Sequence, residues 1–190
     1  MKITHLLTTL FLFAAFSLSA QKEETLFNSS DIRISGIWAS IDHNYSFFEE
    51  EYAYGRGFSI GIEVSRSIYI GYARNSFRQE PVTGPDNRRL DLYYDGLQLA
   101  YAPNSTRLLH PRFGLFAGGG KATVEDIDDD PVYVLKPSAG VELNATQWFR
   151  VGLEAGYRFV TYDDIPEYSS SDFSSPFVNI ALRFGLSWGD

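Results

Sequence analysis

His43 has the surroundings in this sequence that come closest to a catalytic group. Asp42 precedes it directly, and Ser40 and Ser46 lie three residues away on either side. A serine, a histidine and a carboxylate are the groups that acyl transfer uses, with the histidine as general base. Neighbouring residues of a β-strand point to opposite faces, so Asp42 and His43 cannot orient one another within a strand. We therefore predict no catalytic residues, no cofactor and no metal site.

Charged residues alternate with glycines and apolar residues between positions 149 and 159. Arg150, Glu154 and Arg158 share one face of an extended segment with Gly152 and Gly156. The other face carries apolar side chains, namely Phe149, Val151, Leu153, Ala155, Tyr157 and Phe159. Exposing each basic group to the middle of a bilayer would cost roughly 2–4 kcal/mol. Because a folded protein is stable by only about 5–15 kcal/mol, the apolar face is predicted to point outward to lipid.

The end of the chain has the same two-residue period. The large apolar side chains all fall on one face, which is predicted to be the lipid face of a closing strand: Val178, Ile180, Leu182, Phe184, Leu186 and Trp188. Small, polar or charged side chains occupy the other face, among them Arg183. Trp148 and Trp188 fall at the same edge and predict an aromatic girdle.

We predict that these segments are strands of a narrow barrel. Their inward charges must then neutralise one another, because an unpaired buried charge is costly. Eight strands leave an interior that side chains can fill. The predicted interior charge network consists of Glu63, Lys136, Glu142, Arg150, Glu154, Arg158 and Arg183. A hairpin centred on Thr146 would place Glu142 opposite Arg150, and pairing Trp148 with Gly189 would place Glu154 opposite Arg183. We favour a filled interior without a transport role, and the alternative is a polar path for small solutes.

Eight segments of alternating character supply the strands of this barrel. They lie near residues 32–43, 54–64, 68–78, 90–101, 112–123, 132–143, 148–161 and 177–188. Each is long enough to cross a bilayer as a tilted strand. The connections after the first, third, fifth and seventh segments are long, and the others are shorter, at residues 65–67, 102–111 and 144–147. His110 falls in the second of these turns. A parity shift between Ile34 and Ile37 suggests either a bulge in the first strand or a start that is wrongly placed.

The first 20 residues resemble a secretory signal. Lys2 is followed by an apolar run from Leu6 to Leu18 and by the small residues Ser19 and Ala20. We predict a signal peptide over residues 1–20, a short periplasmic segment over 21–30 and the barrel over 31–190. The net charge of −8 argues against nucleic acid as a partner, and the chain has no cysteine for a disulfide.

Together, the signal, the eight amphipathic strands, the Arg/Glu-lined interior and the outward aromatic of the final strand resemble the small outer-membrane barrels of Gram-negative bacteria. This group includes the OmpA transmembrane domain and the OmpX and OmpW types. The resemblance implies an all-β, eight-stranded, antiparallel up-and-down transmembrane barrel with both termini in the periplasm. It also implies outer-membrane lipids, lipopolysaccharide and the barrel-assembly machinery as partners, and leaves the partner of the surface loops open.

The same resemblance implies a structural or surface-interaction role, with a narrow porin-like channel as the alternative. A lipid-modifying barrel enzyme is a less favoured interpretation. Another is a secreted lipocalin-like carrier, because Gly36, Ile37 and Trp38 resemble the first lipocalin signature. A lipocalin would turn its apolar face inward and its charges outward, so the direction of the charged side chains discriminates between the two.

Overall fold

The computed structural model describes residues 33–48, 51–78, 82–83, 88–125, 129–162 and 169–188. These ranges contain nine β-strands and one short helix: β1 (Ile34–Phe47), β2 (Tyr52–Val64), β3 (Ile68–Phe77), β4 (Val82–Thr83), β5 (Arg88–Tyr101), β6 (Leu109–Val124), β7 (Asp130–Asn144), β8 (Phe149–Tyr162), α1 (Ser170–Phe173) and β9 (Ser175–Ser187). The described part of the chain has no helix with the length and apolar character that a bilayer crossing needs. The predicted signal peptide and the segment 21–30 lie outside the described residues.

Eight of the strands close into a barrel. Each long strand pairs antiparallel with the next long strand of the chain, and β1 also pairs with β9. The two-residue strand β4 pairs with the start of β5 and stands apart from the ring. The eight-stranded, antiparallel up-and-down barrel predicted from the sequence is therefore confirmed. We refer to the end that holds the β2–β3, β5–β6 and β7–β8 connections as the turn end, and to the opposite end as the loop end.

The first strand contains the irregularity that its sequence predicted. Its register with β2 shifts between Ile34 and Gly36, and Ser35 and Gly36 are both buried. A bulge inserts one extra residue and so reverses the parity of the faces on its two sides. The strand also continues to Phe47, beyond the predicted end at residue 43, so its connection to β2 is shorter than predicted.

The β2–β3 connection is a tight turn. Ser65 and Arg66 have positive φ angles of 49° and 57°, and the Ser67 N–H donates to the Val64 carbonyl oxygen at 3.2 Å. Two successive left-handed residues are typical of a type I′ turn, whose twist matches that of the flanking strands. The short spacing between the two strands is therefore enough to fix their register.

The sequence placed His110 in a turn, and this prediction is wrong. His110 and Pro111 belong to β6, where they lie opposite Glu142 and Val141 of β7. On the other side of β6, β5 ends at Tyr101, so the ladder with β5 does not reach Pro111. A proline is tolerated in a strand where its missing N–H faces an unpaired edge.

Candidate functional site

All seven charged residues predicted for the interior lie on the inner side of the barrel wall. Lys136 and Arg150 are half-buried. The other five are buried, with at most 5% of each residue exposed: Glu63, Glu142, Glu154, Arg158 and Arg183. Their direction distinguishes this barrel from a carrier that turns its apolar face inward.

Glu142 lies at the centre of the charged groups near the turn end. One carboxylate oxygen contacts Arg183 Nη1 and lies 3.9 Å from Arg112 Nη1. The other oxygen lies 3.2 Å from His110 Nε2 and 3.8 Å from Arg150 Nη1. Since a buried carboxylate is costly without partners, this convergence of donors is what keeps Glu142 inside the protein.

Two further carboxylates extend this group. Glu154 Oε1 lies 3.2 Å from Arg112 Nε and 3.7 Å from Arg183 Nη2, and Glu63 Oε2 lies 3.4 Å from Arg150 Nη1. We refer to these residues as the charge cluster: Glu63, His110, Arg112, Glu142, Arg150, Glu154 and Arg183. Its three carboxylates match its three guanidinium groups, so the cluster is electrically balanced when the histidine is neutral.

The predicted register of the β7–β8 hairpin is wrong. The hairpin is centred one residue later than predicted, on Gln147. Glu142 therefore lies opposite Gly152, and Arg150 lies opposite Asn144. The long arginine side chain still approaches Glu142 diagonally, because diagonal neighbours in a sheet are within reach of long side chains.

The predicted register between β8 and β9 is also wrong. Arg183 lies opposite Arg150, while Glu154 lies opposite Asn179. Residues 163–174 connect the two strands, and a connection of that length does not fix a register as a tight turn does. The long Arg183 side chain nevertheless extends along the inner face of the barrel far enough to contact Glu154 on the adjacent strand.

Sequence reasoning missed two members of the charge cluster, Arg112 and His110. Arg112 is fully buried, and its guanidinium carbon lies 4.5 Å from the centre of the Tyr69 ring. The predicted strand began at Arg112, so the sequence did not place this residue within an established face. Its two-residue spacing from Gly114 and Phe116, both on the inner face, was the available signal.

Lys136 and Arg158 lie apart from the charge cluster, contrary to the single network predicted. The Lys136 ammonium lies 4.5 Å from the centre of the Phe177 ring. The Arg158 guanidinium carbon lies 4.7 Å from the centre of the Phe77 ring, and its Nη2 donates to Ser175 Oγ at 2.6 Å. Aromatic faces attract cations within about 6 Å. The partners of Lys136 and Arg158 are therefore aromatic rings and not the predicted carboxylates.

The loop end of the interior is filled by apolar side chains. Six strands and α1 contribute to this apolar plug, which consists of Ala53, Ala73, Phe77, Leu90, Leu92, Tyr94, Phe116, Ala122, Val124, Val132, Val134, Val160 and Phe173. Phe48 and Tyr162 pack against it. The alternation of the sequence predicted polar and charged residues in the interior, so this plug was not predicted.

Open space inside the barrel is divided between the middle and the turn end. A cavity of about 40 Å³ lies between Asp42, Lys136 and Asn179, which is room for a few water molecules. At the turn end, a wider cavity of about 610 Å³ is lined by polar side chains that include Glu63 and Arg150. The charge cluster and the apolar plug therefore lie on either side of the small central cavity.

The groups around His43 do not assemble into a catalytic set. Ser40 and Ser46 are buried, and Asp42 accepts hydrogen bonds from Ser40 Oγ and from other interior groups. His43 points outward, with its Nδ1 2.6 Å from the Tyr54 hydroxyl. Within the described ranges, no three His, Asp or Glu side chains are grouped so that they could hold a metal ion.

Large apolar side chains are exposed on the outer face of all eight long strands. The closing strand presents the predicted side chains outward, and Leu186 and Trp188 are 62% and 48% exposed. Trp148 is 54% exposed near the same end and stacks on Phe184, with ring centres 6.2 Å apart. Charged side chains also occur outward nearer the loop end, on β2, β3 and β5, among them Arg56, Arg74 and Asp95.

One carboxylate in the loop-end connections is held by a specific pair of neighbours. The Thr123 hydroxyl donates to Asp129 at 2.6 Å, and Lys121 Nζ lies 3.6 Å from the same carboxylate. The hydrogen bond, followed by the lysine charge, lowers the pKa of Asp129 below its ordinary value. Lys121 and Asp129 therefore neutralise one another at neutral pH.

Comparison with known proteins identifies the fold. No family model matches the chain, and no curated protein sequence matches it. Among solved structures, the N-terminal β-barrel domain of Pseudomonas aeruginosa OprF has a TM-score of 0.53 at 11% identity, covering 80% of this chain and 98% of that one.

Two further solved structures are similar over the same region. Neisserial surface protein A has a TM-score of 0.51 at 15% identity, covering 80% of this chain and 96% of that one. Ail, the attachment invasion locus protein of Yersinia pestis, has a TM-score of 0.50 at 14% identity, covering 81% and 100%. The chain therefore has the fold of the small eight-stranded outer-membrane β-barrels.

Proposed function

We propose that this protein is an integral outer-membrane β-barrel with a structural or surface-interaction role, and that its interior does not conduct solutes. In this proposal the strands cross the bilayer, the loop end faces the outside of the cell, and both termini are periplasmic. Outer-membrane lipids and lipopolysaccharide surround the barrel, and the barrel-assembly machinery inserts it after signal-peptide cleavage.

The distribution of apolar side chains supports the membrane location. Leu97, Tyr133 and Leu186 are each more than 60% exposed, on three different strands. Soluble proteins rarely expose contiguous apolar patches larger than a few hundred Å². An outward apolar face with the charges inside is typical of a barrel whose outside contacts acyl chains.

The filled interior supports the proposal that the barrel does not conduct solutes. The apolar plug includes Leu90, Leu92 and Val160, each at most 1% exposed, and it contains side chains from β2, β3, β5, β6, β7 and β8. Below it, Arg112 and Glu142 are fully buried in the charge cluster. A hydrated path for ions would have to cross both layers, and the cavity of about 40 Å³ between them has room for a few water molecules.

A planar-bilayer recording of the purified full chain tests this proposal. We expect no discrete conductance steps from the parent protein or from Glu154→Ala and Arg183→Ala variants. Heat-modifiable gel mobility establishes that each preparation is folded. Steps seen in the folded parent and reduced in either variant would instead support the narrow channel, with the charge cluster lining its path.

Extraction tests the membrane location separately. We expect the protein to remain in the membrane fraction through salt washes and osmotic shock and to be released by detergent. Release without detergent would overturn the membrane proposal whatever the conductance result.

A further inference from the structure

The outward charges of β2, β3 and β5 form one surface near the loop end. Arg56 lies opposite His43 on β1 and opposite Ser76 on β3. Ser76 in turn lies opposite Tyr93 on β5. Arg74 lies two residues before Ser76 on the same face, so Arg56 and Arg74 are diagonal neighbours on adjacent strands.

The two guanidinium groups are held from the side by tyrosines. Arg56 Nε donates to the Tyr54 hydroxyl at 3.0 Å, and the Arg74 guanidinium carbon lies 4.5 Å from the centre of the Tyr93 ring. Asp95 lies opposite Arg74, but it accepts hydrogen bonds from the Tyr72 and Tyr93 hydroxyls at 2.8 and 3.2 Å.

Within the part of the chain that the structure describes, neither arginine has a carboxylate within ion-pair distance. Lys121, another outward cation near the loop end, is paired with Asp129. Both arginines are exposed, and a guanidinium has five N–H donors, so most of their donors face outward. Two like charges at neighbouring positions repel each other unless an anion lies between them.

The surroundings indicate which anion would reach this surface. Phe58 and Ile60 are exposed on the same face of β2 next to Arg56, and Leu97 is 70% exposed beside Asp95 on β5. On β2 the exposed aliphatic residues end next to Arg56, and tyrosines follow on the same face towards the loop end. In the proposed membrane location, this is the level where acyl chains meet their headgroups. Tyrosines are enriched at this level of a membrane. Guanidinium groups bind phosphate through paired hydrogen bonds.

We propose that Arg56 and Arg74 form a binding site for the phosphate of an anionic lipid in the leaflet at the loop end. This inference rests on the proposed membrane location. The phosphate oxygens accept hydrogen bonds from both guanidinium groups, while Tyr54 and Tyr93 fix the side chains in place. The acyl chains of the same lipid lie along the apolar residues of β2 and β5.

Lipid titration of the folded full chain in neutral maltoside micelles tests the site. The probe is dioctanoyl phosphatidic acid, with binding measured by calorimetry. We expect the Arg56→Gln/Arg74→Gln variant to bind it at least about tenfold more weakly than the parent. Arg33→Gln/Arg107→Gln, which removes the same charge near the turn end, should bind like the parent. Equal affinity of the parent and the Arg56/Arg74 variant would overturn the proposal.

Two other titrations identify what the site recognises. Dioctanoyl phosphatidylcholine and inorganic phosphate should each bind the parent more weakly than phosphatidic acid, because one lacks net negative charge and the other lacks acyl chains. Binding of phosphatidylcholine as tight as that of phosphatidic acid would show that phosphate charge is not recognised, and would overturn the proposal.

The parent protein provides a test that does not depend on the variants folding. Its affinity for phosphatidic acid should fall as salt is raised, since exposed charges are screened, and a salt-independent affinity contradicts the site.

Heat-modifiable mobility of the parent in phosphatidylcholine vesicles tests the membrane barrel itself. A protein that inserts there and ignores phosphatidic acid therefore contradicts the lipid site alone.

Discussion

The two ends of the barrel interior are filled in different ways. Near the turn end, three guanidinium groups and three carboxylates pair with one another around Glu142. Near the loop end, apolar side chains such as Leu92 and Val160 fill the interior. Arg158 contacts the Phe77 ring at that end, and Lys136 contacts the Phe177 ring beside the central cavity.

This difference shows that a side chain that points into the barrel can be either charged or apolar. Because the outside of this barrel is apolar, either a neutral salt-bridge cluster or an apolar plug can fill the inside without exposing charge. The two fillings should respond differently to substitution: the charge cluster depends on every member having its partners, while the apolar plug depends on packed volume.

The largest expected effect is in the charge cluster, at Glu142. Glu142→Gln keeps the volume but removes the charge that Arg183, Arg112 and Arg150 share. We expect a loss of about 3–5 kcal/mol in the free energy of unfolding, because buried guanidinium charge is left uncompensated. Urea unfolding in phospholipid vesicles, followed by tryptophan fluorescence, measures this loss.

Glu125→Gln is the matched control for Glu142→Gln. Glu125 is exposed in the connection after β6, so the same chemical change should leave the unfolding midpoint almost unchanged. If the two variants were equally stable, the charge cluster would not hold the turn end together, and the proposed difference between the two ends would be lost.

The next largest effect is in the apolar plug, at Leu92. Leu92 is fully buried, so Leu92→Ala leaves a cavity and should cost about 2–5 kcal/mol. Leu97 lies on the outer face of the same strand and is 70% exposed, so Leu97→Ala should cost less than about 1 kcal/mol. The same urea experiment compares the two, and a similar loss from both would mean that the loop end is not tightly packed.

The strands and most of their faces could be predicted because an apolar exterior enforces a strict two-residue period. The closing strand, from Val178 to Trp188, is the clearest case. The bulge near Ser35 was also visible, as a break in that period. Outward charge at Arg56 and Arg74 was not predicted, since the period identifies a face but not the height at which lipid contact ends.

The interior was harder to predict, for two physical reasons. The partners of Glu154 and Arg183 depend on the β8–β9 register, which a long connection does not specify. The plug residues Val132 and Val134 lie on the inner face beside the outward Tyr133 and Leu135, so both faces of this segment are apolar. Such a continuous apolar run indicates a strand buried on both faces, and alternation alone does not assign its inner side to a plug.

The smallest expected effect comes from a cation that contacts the apolar plug, Arg158. Its guanidinium contacts the Phe77 ring and donates to Ser175 Oγ, and the ion pairs among the described residues do not include it. Arg158→Met loses these contacts, worth about 2 kcal/mol when desolvated, but it also removes a buried charge and lets a flexible apolar side chain pack on Phe77. We therefore expect the urea midpoint of Arg158→Met to stay close to that of the parent, with a loss of at most about 2 kcal/mol.

Arg183→Met is the same substitution in the charge cluster. It should cost about 3–5 kcal/mol, because it removes the guanidinium that contacts Glu142 and leaves this buried carboxylate with less compensating charge. Equal losses from the two substitutions would mean that Arg158 depends on a carboxylate as much as Arg183 does, and that both ends of the interior are stabilised by the same kind of interaction.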